Sequence, residues 1–363
     1  MNGTINVAQR EYYKRPADER FPSLEALISN AEHDRQHSKE VRYNYKDLQV
    51  VTAGDTLKLA SPKGNARFTH WSFGQLCRSL GAPASYLREL PPSIASDALN
   101  YGIQNTALGS DANILVKANG GEPIIRACTS DSYGRLWDAE LYRYVAQSIV
   151  DRDQRWNLPP VWEGGTGGAY RGDRDSFLIL TNGGSIVTDP TLQGNSGQMF
   201  RGILIRNSEV GASSVTIDTV LYRFICGNLM LWGAVYDQRF RRRHFGTNVL
   251  RDVIRKISKI AWDWTNQSAS RDQAIIQGLI DHEVAHTKEA VVDELRKLGA
   301  TKDQATEAYD RCERTESASP RSFWGMAQGL TRLSQDSEYQ SERFELDTLA
   351  SQLLSKGRKL VAA

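Results

Sequence analysis

The sequence predicts an α+β fold: a mixed N-terminal α/β part with a largely antiparallel sheet, followed by a helical C-terminal unit. Strand-like apolar segments bounded by turn residues recur as far as residue 218. Beyond Thr247 the apolar spacing is helical almost throughout. With 363 residues, of which 40% are apolar and 24% charged, the chain can bury a full core.

Residues 1–42 are expected to form a polar N-terminal arm. They are dense in charge and contain Pro16 and Pro22, which disfavour a long regular element. Because Ser23 is a good N-cap residue, a short helix over 23–32 is predicted inside this arm.

Residues 43–246 are expected to form the α+β core, which begins with two short helices. Thr69 or Ser72 can cap the first helix and Gly81 ends it, and the second helix stops at Pro91. The second helix lacks a row of Arg, Asn and Gln side chains that could contact bases. We therefore expect a packed helical hairpin rather than a DNA-binding helix-turn-helix.

The strands of the core are expected to pair across turns. Asn119, Gly120 and Gly121 form one turn signal, and residues 207–211 form another in which Glu209 is expected to be solvated. The glycine-rich hairpin at 162–198 lacks the Gly-Lys-Ser/Thr ending of a phosphate-binding loop. The predicted strands cover 56–60, 112–118, 123–128, 177–181, 200–206 and 213–218.

Residues 247–363 are expected to form the helical C-terminal unit, with breaks at Gly299 and Pro320. The predicted helices cover 247–264, 271–298, 301–314, 320–334 and 339–356. An apolar stripe in the last helix suits either the protein's own core or a second copy of the chain, so a homo-oligomer is an open alternative. The stripe consists of Leu346, Leu349, Leu353 and Leu354.

The expected location is the cytoplasm. The first residues lack the basic and apolar regions of a secretory signal, and no stretch approaches the length of about 18 apolar residues that a membrane helix needs. The four cysteines are isolated and form no C-x-x-C pair, which argues against a disulfide framework or a thiolate zinc site.

The most informative functional feature is a local concentration of positive charge. Residues 239–259 contain eight Lys or Arg side chains and one acid, Asp252, although the formal net charge of the chain is only +2. Arginines bracketed by aromatic rings are typical of a surface for a polyanion, with cations on phosphates and rings stacked on bases. The residues predicted to bind nucleic acid are Arg239, Arg241, Arg242, Arg243 and His244, the rings of Phe240 and Phe245, and Arg223.

Other interpretations of these residues stay open. The basic segment can be an ordinary solvated surface, or it can bind an acidic host or phage protein. Arg223 lies in an apolar context, so Asp218 or Glu209 as a structural partner is the alternative to a phosphate.

One segment matches a metallopeptidase motif. His282-Glu283-Val284-Ala285-His286 has the H-E-x-x-H spacing, in which two histidines one helical turn apart hold zinc and the glutamate polarises water. Glu307 is a candidate third ligand. On the predicted helix 271–298, however, both histidines point away from the apolar seam, so two surface histidines without metal are the alternative.

Five short motifs follow one another along the chain. They are Phe73-Gly74-Gln75-Leu76 with Leu80-Gly81-Ala82-Pro83 and Tyr86; Arg126-Ala127 with Ser130-Asp131-Ser132-Tyr133-Gly134-Arg135-Leu136; Asn207-Ser208-Glu209-Val210-Gly211; Arg223 with Cys226-Gly227-Asn228; and Arg243-His244. In this order they resemble the family of phage and plasmid proteins catalogued as domain of unknown function 932. The resemblance covers about residues 68–260 and departs from the family pattern at Thr129, Ser132 and Leu229-Met230.

The resemblance implies a mobile-element protein that works near DNA recombination or replication. It implies no mechanism. Together with the basic segment, it leads us to expect a non-enzymatic, nucleic-acid-binding protein without a cofactor, such as a single-strand binding or annealing factor. A zinc hydrolase and a host-protein-binding modulator are the alternatives.

Overall fold

The computed structural model describes residues 15–105, 111–118, 120–160, 167–191, 197–225, 228–233, 239–337 and 340–361. Two sheets with helices packed on them, followed by a set of C-terminal helices, make up this part of the chain, which confirms the predicted α+β class. No helix among the described residues is both long enough and apolar enough to cross a membrane.

The strands are numbered in chain order. They are β1 Arg20–Phe21, β2 Ser38–Asn44, β3 Gln49–Ala53, β4 Thr56–Ser61, β5 Gly64–Phe68, β6 Asp111–Lys117, β7 Ile124–Ser130, β8 Trp156–Asn157, β9 Ala169–Arg171, β10 Ser176–Thr188, β11 Gln198–Asn207, β12 Val215–Ile225, β13 Asn228–Gly233 and β14 Arg239–Arg242.

The α-helices are numbered in the same way. They are α1 Leu24–Gln36, α2 His70–Ser79, α3 Ala84–Glu89, α4 Pro92–Asn105, α5 Asp138–Val145, α6 Val249–Asn266, α7 Ser270–Asp281, α8 Lys288–Lys297, α9 Lys302–Thr315, α10 Phe323–Asp336 and α11 Gln340–Val361.

The N-terminal half is built around a six-stranded sheet with the order β2-β6-β7-β5-β4-β3. The predicted pair of strands around residues 119–121 is confirmed, because β6 and β7 pair antiparallel. α2 begins with a capping box in which Thr69 and Ser72 each satisfy the other's backbone N–H group. The apolar faces of α2 and α4 pack on this sheet, with Leu76 and Leu99 fully buried.

A second sheet of eight strands has the order β1-β9-β10-β11-β12-β13, with β8 on β10 and β14 on β12. Long antiparallel ladders join β10 to β11 and β11 to β12, as the sequence predicted. α5 and α6 cover one face, where Leu141, Val253 and Ile257 pack against Ile205 and Ile217.

The C-terminal helices form their own core and pack against one end of this sheet. Trp264 and Trp324 lie in that core with Met199 and Leu221 of the sheet. The buried ion pair between Arg201 of β11 and Asp272 of α7 joins the two parts, with an Nη2–Oδ2 distance of 2.5 Å. The leucine stripe at 346, 349, 353 and 354 is buried in the same core.

Two predictions about the elements need correction. Residues 15–42 are part of the folded body rather than an arm, because β1 pairs with β9 and β2 pairs with β6. The predicted helix within this region is present as α1, and the Ser23 hydroxyl accepts a hydrogen bond from the N–H of Ala26. Residues 1–14 of the predicted arm lie outside the described part.

The predicted helix 271–298 was wrong, because two helices, α7 and α8, occupy this range. Between them the chain is not helical and bonds to the segment before α10: the N–H of Val284 donates to the carbonyl of Arg321 at 2.6 Å. The Thr287 hydroxyl then caps α8 by accepting from the N–H of Ala290. Long-range backbone pairing and a new cap outweigh the helical spacing of the apolar residues.

Candidate nucleic-acid interface

The predicted arginine run does not form one surface. Its residues 239–242 form β14, which pairs antiparallel with β12, and successive side chains on a strand point to opposite faces. Phe240 packs into the core beneath α6, and Nε of Arg242 donates to Oδ2 of Asp252 on α6 at 2.9 Å. Nε of Arg241 instead donates to the Ser214 hydroxyl at 3.3 Å. The strand therefore divides the run between its two faces.

His244 is buried and does not fit its predicted role on a phosphate. Its ring stacks on Tyr133 with centroids 5.1 Å apart, and its Nδ1 donates to the carbonyl of Gly134 at 3.2 Å. Burial lowers the pKa of His244 to about 4, so the ring is neutral at neutral pH. Its role is to hold the 132–134 turn against the segment that follows β14.

Three members of the predicted set are exposed. The side chains of Arg241 and Arg243 face solvent, and Phe245 is 62% exposed. The side chains of Arg223 and Arg239 lie outside the described part of the structure.

α6 presents a basic stripe that begins a few residues after Phe245. Its buried side consists of Val249, Val253, Ile257, Ile260, Ala261 and Trp264. On the opposite side Arg251, Arg255, Lys259 and Trp262 follow at spacings of four, four and three residues, which places them on one helix face. The stripe is about 16 Å long at about 1.5 Å per residue. Trp262 is 70% exposed, which is unusual for so large an apolar ring.

We call this surface the basic face and define it as Arg243, Phe245, Arg251, Arg255, Lys259 and Trp262. Within the described part of the chain, Arg243, Arg251 and Arg255 form no ion pair with a carboxylate. Lys259 pairs with Asp263 one turn further along α6 at 2.6 Å, but both side chains face solvent, where such a pair is weak. The basic face is therefore positively charged, and it includes two exposed aromatic rings, Phe245 before α6 and Trp262 near the end of α6.

Trp262 was not among the predicted residues, although the sequence contains a signal for it. Once 247–264 was predicted as a helix, the spacing from Arg251 already placed Trp262 on the polar side.

A buried network of charged side chains is centred on Arg171 and Glu209. The Arg171 guanidinium contacts three carboxylates: Nη1 lies 2.8 Å from Oδ2 of Asp34, Nε 3.0 Å from Oδ2 of Asp138, and Nη2 3.2 Å from Oε2 of Glu209. Arg126 adds a second contact to Oε2 of Glu209 at 2.9 Å. These residues come from α1, α5, β7, β9 and the turn after β11, so the network joins distant parts of the chain.

Hydrogen bonds satisfy the two buried acids of this network. The N–H of Asp138 donates to Oε1 of Glu209 at 2.9 Å, and the Asn207 amide donates to Oδ1 of Asp138 at 2.7 Å. Burial together with the nearby Glu209 charge raises the pKa of Asp138. Burial alone would also raise the pKa of Glu209, but Arg126 and Arg171 outweigh it and lower the pKa. Glu209 is therefore the ionised centre of the network.

The expectation that Glu209 is solvated was wrong, because this side chain is only 3% exposed. The turn that contains it also holds the two sheets together. The carbonyl of Val210 accepts from Nε1 of Trp71 at 2.9 Å, and the carbonyl of Ser208 accepts from the Tyr133 hydroxyl at 2.9 Å. Since Tyr133 stacks on His244, the network fixes the position of the chain that leads into the basic face.

The H-E-x-x-H residues lie in the non-helical segment between α7 and α8, not on one helix. Nδ1 of His282 donates to the carbonyl of Gly278 at 2.8 Å, whereas the 93% exposed side chain of His286 pairs with Glu283 at 2.7 Å. Glu307 accepts from Nε of Arg311 at 2.7 Å. Among the described residues no group of three His, Cys, Asp or Glu side chains is arranged to hold a metal ion. The helix geometry that this zinc hypothesis needs is absent.

A family model described as a domain of unknown function, DUF932, matches residues 148–340, which is more than half of the chain. The chain belongs to the DUF932 family. The sequence resemblance is thereby confirmed, but its extent is corrected: the DUF932 match includes α6 to α10 and begins after the motifs around Phe73 and Arg126. No curated protein and no solved structure matches the chain.

Proposed function

We propose that this protein binds nucleic acid through the basic face. The observation on which the proposal rests is the exposed side of α6, where Arg251, Arg255 and Lys259 align with Trp262. Cations in such a row can neutralise successive phosphates, which releases counterions and favours binding. Arg243, six residues before the helix, adds a fourth exposed cation.

The rings favour single strands over duplexes. Phe245 and Trp262 are both more than half exposed, and an unpaired base can stack on such a ring, whereas the bases of a duplex are already stacked on one another. Stacking is tolerant of sequence, so binding is expected to depend little on the order of the bases. A single-strand binding or annealing factor in the recombination or replication of a mobile element is the role that we infer from this surface and from the family resemblance.

The test compares labelled single-stranded and double-stranded oligonucleotides by fluorescence anisotropy. Wild type is expected to bind single strands more tightly, and Arg251→Gln/Arg255→Gln is expected to bind both more weakly. Lys46→Gln/Lys63→Gln removes the same charge from exposed positions in the N-terminal half and serves as the control. Equal binding by both double variants would show that the basic face is not the binding surface.

An acidic protein partner is the rival for the same surface. If the partner is an acidic protein, the wild-type protein should bind neither oligonucleotide at low salt. It should instead bind a polyanionic peptide, and Arg251→Gln/Arg255→Gln should weaken that binding. Single-stranded oligonucleotide that displaces such a peptide would instead support the nucleic-acid proposal.

A further inference from the structure

A cleft of about 500 Å³ opens beside α2 and is lined by residues that take no part in the basic face. Three arginines line it, Arg78, Arg88 and Arg174, together with the ring of Trp71, and no carboxylate is among its lining residues. The arginines come from three different segments: α2, α3 and the turn before β10. Their convergence therefore arises from the fold and could not be detected as a run in the sequence.

Two of these guanidinium groups are held in place by aromatic rings. The Arg88 guanidinium lies 5.1 Å from the centre of the Phe73 ring, and its Nη2 donates to the carbonyl of His70 at 2.9 Å. The Arg174 guanidinium lies 5.4 Å from the centre of the Trp71 ring. Trp71 is itself fixed by its hydrogen bond to Val210. Such contacts orient an arginine without neutralising its charge.

A neighbouring cavity of about 440 Å³ is also lined by arginines, but two of them are neutralised by carboxylates. It shares Trp71 and Arg174 with the cleft, but its other two arginines are paired. Nη1 of Arg15 lies 2.9 Å from Glu19, and Nη2 of Arg206 lies 2.6 Å from Asp175. In the described part of the chain, Arg78, Arg88 and Arg174 form no such ion pair. The cleft thus keeps a positive charge that the adjacent cavity loses.

We propose that this cleft binds a phosphate ester: either a free nucleoside phosphate or the 5′-terminal phosphate of a nucleic-acid strand. Planar guanidinium groups match the oxygens of a phosphate in pairs, and a phosphate monoester needs more than one cation to offset its charge. The volume lies within the range of about 300–1,000 Å³ that is common for small-molecule sites. The site does not depend on nucleic acid binding along α6, because none of its residues belongs to the basic face.

Isothermal titration calorimetry at low salt tests the proposal with three probes: ATP, a 5′-phosphorylated hexanucleotide and the same hexanucleotide with a 5′-hydroxyl. Arg78→Gln and Arg174→Gln are the variants, because both side chains are exposed and their loss leaves no buried partner. Lys46→Gln/Lys63→Gln is the charge control. Circular dichroism and the unfolding midpoint establish that each variant is folded.

We expect one ATP per chain, or a preference for the 5′-phosphorylated strand, with affinity reduced roughly tenfold or more in each arginine variant and unchanged in the control. Binding of ATP identifies the free nucleotide as the ligand. A preference for the 5′-phosphate with no ATP binding identifies the strand end. The proposal is overturned if ATP does not bind and the 5′-phosphate makes no difference, or if any such binding is the same in the arginine variants.

Discussion

Replacing Glu209 by glutamine tests whether the buried network holds the molecule together. The carboxylate is 3% exposed and accepts from Nη2 of Arg126 at 2.9 Å, Nη2 of Arg171 at 3.2 Å and the N–H of Asp138 at 2.9 Å. Glutamine keeps the shape but removes the charge, and its NH₂ group must face one of these donors. Breaking a buried ion pair from one side costs about 3–5 kcal/mol, and we expect a loss in that range.

Urea unfolding followed by circular dichroism gives the free energy of unfolding. Glu32→Gln is the matched control, since Glu32 also pairs with an arginine, Arg143, but both side chains are substantially exposed. The control is expected to lose about 0–1 kcal/mol. If Glu209→Gln is no more destabilising than Glu32→Gln, the network does not stabilise the fold and our account of the 207–211 turn is refuted.

Three further perturbations address the chain that leads into the basic face and the face itself. Because the pKa of His244 lies at about 4, below its ordinary value of 6.5, the unfolded chain takes up the proton first as the pH falls. The free energy of unfolding in urea should therefore fall by up to about 3 kcal/mol between pH 6.5 and 4. His244→Asn should lack this loss, and an equal loss in the variant would show that His244 is not the cause. A Cβ at Gly134 would lie 1.9 Å from a backbone oxygen of the segment before α6, so Gly134→Ala should lower the unfolding midpoint. Gly121→Ala, with open space around the new Cβ, should leave the midpoint unchanged. Equal midpoints for the two variants would contradict the close approach at Gly134. Trp262→Ala should weaken single-strand binding by about 5- to 150-fold in an anisotropy titration, because a stacked base contributes about 1–3 kcal/mol. Tyr101→Ala, which removes a 71% exposed ring elsewhere, should leave the affinity unchanged. Equal losses of affinity in the two variants would exclude stacking on Trp262.

Local signals in the sequence predicted much of the fold. Ser23 and Thr69 cap helices where expected, because a hydroxyl before an apolar period satisfies the first free N–H groups whatever the rest of the chain does. The antiparallel ladder of β10, β11 and β12 was also predicted, since alternating segments joined by turns leave few other pairings.

Features that depend on distant partners were not predictable. Glu209 looks like a solvated turn residue until the fold brings Arg126 and Arg171 to it from 83 and 38 positions away in the sequence. The helix across His282 is interrupted because residues 282–284 pair with the segment at 321–323, which no local pattern reveals.

The candidate surface falls between these cases. The position of the basic segment was predictable from composition. The division of its arginines between the two faces of β14 was not, because the pairing of β14 with β12 decides which arginines turn toward α6. As a result the predicted residues Arg242 and His244 have structural partners, while Arg251 and Arg255 remain exposed without carboxylate partners among the described residues.

The salt dependence of single-strand binding is the most direct measurement of whether the basic face contacts phosphates. Four cations, Arg243, Arg251, Arg255 and Lys259, at about −0.7 each give a slope of log K against log salt of about −2.8 for the wild-type protein. Arg251→Gln/Arg255→Gln should reduce the slope to about −1.4, because two contacts are lost. A wild-type slope near zero, or a slope that the double variant leaves unchanged, would contradict nucleic-acid binding by this face.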